Sequence, residues 1–313
     1  MKTVVLNAGK MNYDGAMDLK SLSADVTVYD SSAESEIAAR AAGAEILVTK
    51  ELPMPGRVIE ALPEGVRLIC EAGTGYNNID LAACRARGIT VCNTPAYSTE
   101  RVAHTAILML LSLASDMRRQ TAMLTRGDRS NFTEHMKVSH TEVNGKVLGV
   151  VGFGHIGGEV AKIALALGME VLAYSRTEKE VAGVRFVPLD ELLSSSDYIT
   201  LHCPLNDSTR HLIDAAAIGK MKDGACVINT GRGALIDEPA LIAALQSGKL
   251  FGAGLDVQET EPPAADNPLY TMENVILTPH MGWKGLETRQ RLNGILKDNI
   301  AAFEKGEPIN VVS

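Results

Sequence analysis

The sequence predicts two α/β domains, each a doubly wound parallel sheet, and three observations carry the prediction. Short runs of Val, Ile and Leu alternate with helix-like segments along almost the whole chain, and continuous apolar strands between helices belong to parallel sheets covered on both faces. The 313 residues are too many for one average domain and enough for two. The second alternating series opens with GFGHIG, from Gly152 to Gly157, set between an apolar run and a helical run, as a phosphate-cradling turn requires.

The first series has strand candidates TVVL (3–6), EILV (45–48), RLIC (67–70) and ITV (89–91), with helix-like pieces such as ESEIAARAA and DLAACRARG between them. It has no glycine fingerprint and so has another task. NTPAYSTE (93–100) breaks the alternation: Pro95 stops any regular element, and Ser98 and Glu100 suit the start of a helix. That helix, expected over 99–117, is apolar around much of its circumference and should be buried on more than one side. A polar stretch over 118–145 reads as an arm or irregular connection. The second series then runs KVLGVVG, MEVLAY, YITLHC, ACVINT, FGAGLDV and NVILTP, and an amphipathic helix over 286–304 closes the chain.

Composition excludes several function classes. The content of 46% hydrophobic and 22% charged residues is that of an ordinary globular protein. A net charge of −8, with no long Lys/Arg block, argues against nucleic acid and anionic membrane as partners. The most apolar segment, AILMLLSLA, is far too short to span a bilayer. Five scattered cysteines without a CxxC pair read as thiols in a reducing compartment rather than a disulfide or metal framework. The start, MKTVVLNAGK, runs straight into a strand and lacks the features of a signal peptide, so a cytoplasmic location is expected.

Chemistry concentrates at strand ends. In the glycine turn, Gly152 permits the tight bend, Gly154 lets the backbone approach a pyrophosphate, and Gly157 allows close helix–strand packing. The helix N-terminus, with His155 and Ile156, supplies amides and positive dipole. This is a Rossmann-type dinucleotide site. About 20 residues on, the fingerprint calls for an Asp or Glu on the ribose hydroxyl, but the chain offers Ser175, Arg176 and Thr177. Arg232, Asp256, Glu261, His280 and Trp283 follow later strands. Ligands of open α/β sheets bind outside the carboxyl ends of the strands, so these residues are expected to converge on one crevice. His104, on the apolar helix, reads as a buried interface residue, and His135 and His140 lack metal-ligand spacing; no metal is expected.

Taken in order, AGTGYNNID (72–80), GFGHIG, HCPLN (202–206), NTGRG (229–233), LDVQETEP (255–262) and TPHMGW (278–283) make the chain resemble the D-isomer-specific 2-hydroxyacid dehydrogenase family over essentially its whole length. Trp283, three residues after His280, resembles the glycerate dehydrogenase/hydroxypyruvate reductase branch. The resemblance implies a flavodoxin-like substrate domain (1–98 and 282–313), a Rossmann nucleotide domain (99–281) and a cleft between them. It implies a homodimer, and NADP(H) or NAD(H) as cofactor. It assigns the substrate carboxylate and carbonyl oxygen to Arg232, proton transfer to His280, and the pairing that keeps His280 protonated to Glu261. Gly73, Thr74 and Gly75 would offer amides to the carboxylate, with Trp283 beside the substrate. Cys203, Pro204, Thr230, Gly231 and Gly282 would line the cofactor, and Asp256 would hold the nicotinamide carboxamide. Gln258 and Gly231 depart from the residues common in relatives without affecting these roles.

The implied activity is reduction of a small 2-keto acid such as hydroxypyruvate or glyoxylate. Two alternatives stay open: a phosphoglycerate-type or branched 2-keto-acid enzyme of the same family, and a non-catalytic dinucleotide sensor. At the ribose end, the missing acid together with Arg176 points to NADP(H), unless Glu178 or Glu180 holds an NAD ribose.

Overall fold

The computed structural model describes residues 1–177 and 179–313. The chain divides into two compact units, Met1–Ser98 with Trp283–Ser313, and Thr99–Gly282. Gly282 thus falls with the nucleotide unit, one residue past the expected boundary.

The first unit is a five-stranded parallel sheet of β1 (Lys2–Val5), β2 (Asp25–Val28), β3 (Ile46–Thr49), β4 (Leu68–Glu71) and β5 (Thr90–Cys92), in the order β2-β1-β3-β4-β5. Every residue of β3 and β4 is buried, which is why their sequences read as unbroken apolar runs. The edge strand β2, DVTV, has no buried residue and gives no such signal. Val4, Leu47, Ile69 and Val91 meet Ile37 and Ile59 from covering helices in the core. The last helix, Leu286–Glu304, belongs to this unit and buries Leu292, Leu296 and Ile300. Its buried Arg289 takes both carboxylate oxygens of Asp14, at 2.6 and 2.5 Å, and this pairing pulls the Asp14 carboxyl down to about 2.

The second unit is a seven-stranded parallel sheet of β6 (Val147–Val151), β7 (Glu170–Tyr174), β8 (Val184–Phe186), β9 (Tyr198–Leu201), β10 (Ala225–Asn229), β11 (Leu250–Leu255) and β12 (Val275–Leu277). The order is β12-β11-β10-β9-β6-β7-β8, so the winding reverses between β6 and β9. Two apolar clusters cover its faces, one around Val227, Leu241 and Leu255, the other around Val150, Val160 and Ile228. The reversal fixes where a ligand binds: outside the carboxyl ends of the strands, at the switch point.

The apolar helix is shorter than expected. It runs Thr99–Ala114, Asp116 takes a left-handed φ of 46°, and a separate helix follows at Met117–Thr125. The polar stretch therefore starts with a helix, then has one turn at Ser130–Thr133 and no further element before β6. The apolar helix buries Val102, Ala106, Ile107, Met109, Leu110 and Leu113, while Leu108, at 55%, and Leu111 stay exposed on it, and Met117, Leu124, Met136 and Phe132, the last at 77%, are exposed beyond it. His104 is exposed as well. Among the described residues no helix is long and apolar enough to cross a membrane.

Candidate active site

The glycine turn follows β6 directly. The Gly152 amide donates to the Tyr174 carbonyl at 2.8 Å, holding the turn against the end of β7. Its φ is +95°, and a Cβ there would lie 2.4 Å from the Cys203 amide nitrogen, so only glycine fits. Gly154 is the N-cap of the helix His155–Ala166, and a Cβ built on it meets nothing within 4 Å. That open face above a twelve-residue helix start is the space and the field an anionic pyrophosphate needs. Thr230, 8% exposed just beyond β10, has a buried hydroxyl with no hydrogen-bond partner among the described residues. A buried polar atom without a partner costs free energy until something bonds to it. Glycine turn and orphaned hydroxyl both fit a dinucleotide.

At the ribose end, Ser175 is half-buried and Arg176 and Thr177 are exposed, all directly past β7. Lys179, which sequence reading passed over, donates to the Phe153 carbonyl inside the glycine turn at 3.2 Å. Glu180 is exposed, and Glu178 lies outside the described residues. Two cations thus stand where the fingerprint has an acid.

Farther along the same sheet edge, three loops are locked to one another. Asn229 ends β10 and ties the Arg232 loop at both sides, accepting from Gly231 N at 3.0 Å and donating to Arg232 O at 2.8 Å. A Cβ on Gly233 would lie 1.9 Å from the Gln258 carbonyl, so this loop touches the loop after β11 backbone to backbone. Glu261, on that second loop, accepts from Gln258 N through Oε1 and meets His280 Nδ1 with Oε2 at 2.9 Å. His280, just past β12, has a φ of 48°, and its amide donates to the Asp256 carbonyl at 2.8 Å. Arg232, Glu261 and His280 are therefore brought onto one edge of one unit.

Asp256 is 1% exposed, and its carboxylate is occupied by protein donors: Thr278 Oγ1 at 2.6 Å, Met281 N at 2.8 Å and Gly282 N at 2.7 Å. What the geometry shows is an anchor that fixes the backbone on both sides of His280. His202, in the same unit, bonds Thr200 Oγ1, and burial pushes its ring down to about 3. Gln258 spans the Leu255 and Thr278 carbonyls at 3.5 Å. No cluster of His, Cys, Asp and Glu among the described residues could hold a metal ion.

In the first unit the turn of Gly73, Thr74 and Gly75 follows β4, with Thr74 exposed and its hydroxyl donating to the Thr94 carbonyl. Beneath it lies a feature the motifs did not reveal. Lys50, 2% exposed, sits with Nζ 2.7 Å from Glu51 Oε1 and 4.1 Å from the centre of the Trp283 ring. A Cβ on Gly73 would be 3.3 Å from Lys50 Nζ and 3.2 Å from Glu71 Oε1. Glu71 is fully buried and accepts from Thr49, Asn78 and the Glu51 amide. Burial works to lower the Lys50 ammonium, but Tyr97, Glu51 and Glu71 outweigh it and hold it above its ordinary range. Burial pushes the Glu71 carboxyl up against the opposing pull of Lys50 and its donors.

The family model for the D-isomer specific 2-hydroxyacid dehydrogenase NAD binding domain matches residues 107–282. Hydroxypyruvate reductase of Blautia hydrogenotrophica is 41% identical, with 100% of both chains covered. Among solved structures, D-lactate dehydrogenase from Aquifex aeolicus complexed with NAD and lactic acid is 31% identical with a TM-score of 0.85. An acyclic imino acid reductase in complex with NADPH and D-arginine is 28% identical with a TM-score of 0.90. Both cover 100% of each chain. A nicotinamide cofactor accordingly belongs with this chain. The chain belongs to the D-isomer specific 2-hydroxyacid dehydrogenase family and shares its oxidoreductase chemistry on small 2-hydroxy acids.

Proposed function

We propose that the protein reduces hydroxypyruvate or glyoxylate to the D-2-hydroxy acid, with NADPH preferred. The observation that carries this is the His280–Glu261 pair at 2.9 Å, on loops locked to that of Arg232. Arg232 takes the substrate carboxylate and carbonyl oxygen, a task for a planar fork that is always charged. When bound, the reduced nicotinamide would supply the hydride for C2 of the keto acid. His280 gives a proton to the carbonyl oxygen in that step and recovers one from the hydroxyl in the reverse direction. With Nδ1 engaged by Glu261, Nε2 is the ring nitrogen that carries the proton to the substrate. The Thr230 hydroxyl and the turn around Gly154 hold the cofactor, and Arg176 with Lys179 meets a 2′-phosphate.

Oxidation of NADPH followed at its absorbance maximum, with hydroxypyruvate, glyoxylate, pyruvate and a branched 2-keto acid in turn, tests the reading. Turnover is expected with the first two. Cofactor binding without turnover on any acid would make the protein a dinucleotide sensor and sink it.

The exposed Leu108, Leu111, Met117, Leu124 and Phe132 support a homodimer built on the nucleotide unit. Sedimentation at micromolar concentration should give twice the chain mass, and a monomer would refute the assembly. Five cysteines without a disulfide agree with a reducing, cytoplasmic compartment.

A further inference from the structure

Glu261 stands on an exposed loop, since Glu259, Thr260 and Glu261 all face solvent after β11. A loop of this kind holds a side chain still only where the scaffold ties it down. One tie comes from the loop after β9, in the same unit. His211 donates from Nε2 to Glu259 Oε1 at 2.7 Å, because a carboxylate only accepts. The His211 backbone has a left-handed φ of 50°, a region in which histidine is one of the enriched side chains. Its amide donates to the Ala234 carbonyl at 2.8 Å. Two residues on, the Ile213 amide donates to the Leu235 carbonyl and the Ile213 carbonyl accepts from the Asp237 amide, each at 3.0 Å. His211 therefore joins three strand-end loops, with its backbone on the loop after β10 and its ring on the loop after β11. A second tie reaches the same carboxylate residue: the Glu259 amide donates to Glu238 Oε2 at 3.4 Å, and Glu238 Oε1 accepts from Asn267 at 2.7 Å.

We propose that His211 and Glu259 are positioning residues, whose contact holds the segment 258–262 so that Glu261 keeps its 2.9 Å approach to His280 Nδ1. This rests on the keto-acid reductase reading above, in which Glu261 orients the ring that transfers the proton. The segment has little slack. A Cβ on Gly233 would lie 1.9 Å from the Gln258 carbonyl, which fixes one end by backbone packing, and the Gln258 amide donates to Glu261 Oε1 at 3.2 Å. Glu259 is the next residue, and the His211 ring is what holds its side chain. Without that ring the exposed run turns about Gln258 and carries Glu261 off its line to His280. Misplacing a group of this kind by about 1 Å costs up to about 100-fold in rate. The pair itself stands partly in water, with 38% of the His211 side chain and 30% of the Glu259 side chain exposed. Such pairs add little to folding stability. Its loss should therefore appear in turnover and scarcely in melting.

His211→Ala and Glu259→Ala each remove the contact and leave Arg232, Glu261 and His280 in place. With hydroxypyruvate and NADPH, kcat is expected to fall about 10-fold in either variant while KM stays within about 2-fold. Affinity for NADPH, by fluorescence titration, should stay native, and the melting temperature should fall by no more than about 4 °C. His211→Gln has an amide that donates to Glu259, and it should restore kcat to within about 3-fold of native. The double alanine variant should be no slower than either single one, because both remove one and the same contact. Native kcat in either alanine variant, multiplied losses in the double variant, or a loss that tracks melting temperature overturns the proposal. Should His211→Ala fold poorly on its left-handed backbone, Glu259→Ala leaves that backbone untouched and carries the test. Native enzyme that reduces neither hydroxypyruvate nor glyoxylate fails the functional reading itself, whereas native turnover with unimpaired variants fails only this inference.

Discussion

His280 keeps 18% of its side chain in water at the end of β12, with its partner Glu261 at 36%. Lys50, in the other unit, is sealed at 2% with Glu71 at 0% beside it. Each joins a nitrogen to a carboxylate, His280 to Glu261 and Lys50 to Glu51, yet they are built in opposite ways. The first is a short contact between side chains at successive strand ends of a switch-point sheet, where loops vary and strands hold them still. The second is a charge taken out of water, which persists only because Glu51, Glu71 and an aromatic face surround it. The open pair is the one proposed to exchange a proton with substrate. The sealed cluster is suited to fixing shape and field.

Breaking the open pair should therefore cost turnover rather than stability. His280→Ala is expected to lower kcat by about 10²- to 10⁴-fold, the usual worth of a positioned acid, while cofactor binding and melting temperature stay near native. A calorimetric scan and a fluorescence titration with NADPH check the second half. Native turnover in the variant would remove His280 from the mechanism.

Arg232 tests whether geometry or charge matters on the same edge. Its loop is fixed by Asn229 and by the backbone contact at Gly233, so a lysine there keeps the charge in place and loses the fork. Charge-assisted hydrogen bonds contribute about 1.5–3 kcal/mol, and Arg232→Lys should lose roughly 10- to 150-fold in kcat/KM. Near-native kinetics would mean that any cation suffices.

These two regions also divide what the sequence disclosed. The seven-stranded unit announces itself because its strands are continuous apolar runs and its functional residues stand within a few positions of strand ends. The edge strand β2 was missed because DVTV is exposed and lacks that run. The helix expected over 99–117 breaks at Asp116, a left-handed residue that hydrophobic periodicity does not encode. Lys50 directly follows β3, and nothing local in the sequence marks it. Its burial depends on Glu71 and on Trp283 near the other end of the chain, and no local pattern carries that. Trp283 stands in the sequence as a strand-end residue and a branch marker, and its orphaned N–H emerges only with the fold.

The smallest effect concerns the ribose end, where the open edge meets solvent. An Asp in place of Ser175 would accept from the ribose hydroxyls and repel a 2′-phosphate. Here Ser175 removes both effects, Arg176 makes no ion pair among the described residues, and Lys179 stands two residues past Thr177 on the carbonyl of Phe153. One charge-assisted contact of about 1.5 kcal/mol gives roughly a 10-fold preference for NADPH over NADH in kcat/KM. Because Arg176, Thr177 and Lys179 are exposed, salt should screen the contact and shrink the preference. Ser175→Asp with Arg176→Ala should reverse the choice, with Lys179 retaining part of the NADPH affinity. If native enzyme uses NADH equally well at low salt, both cations are bystanders and the open edge carries no selectivity of its own.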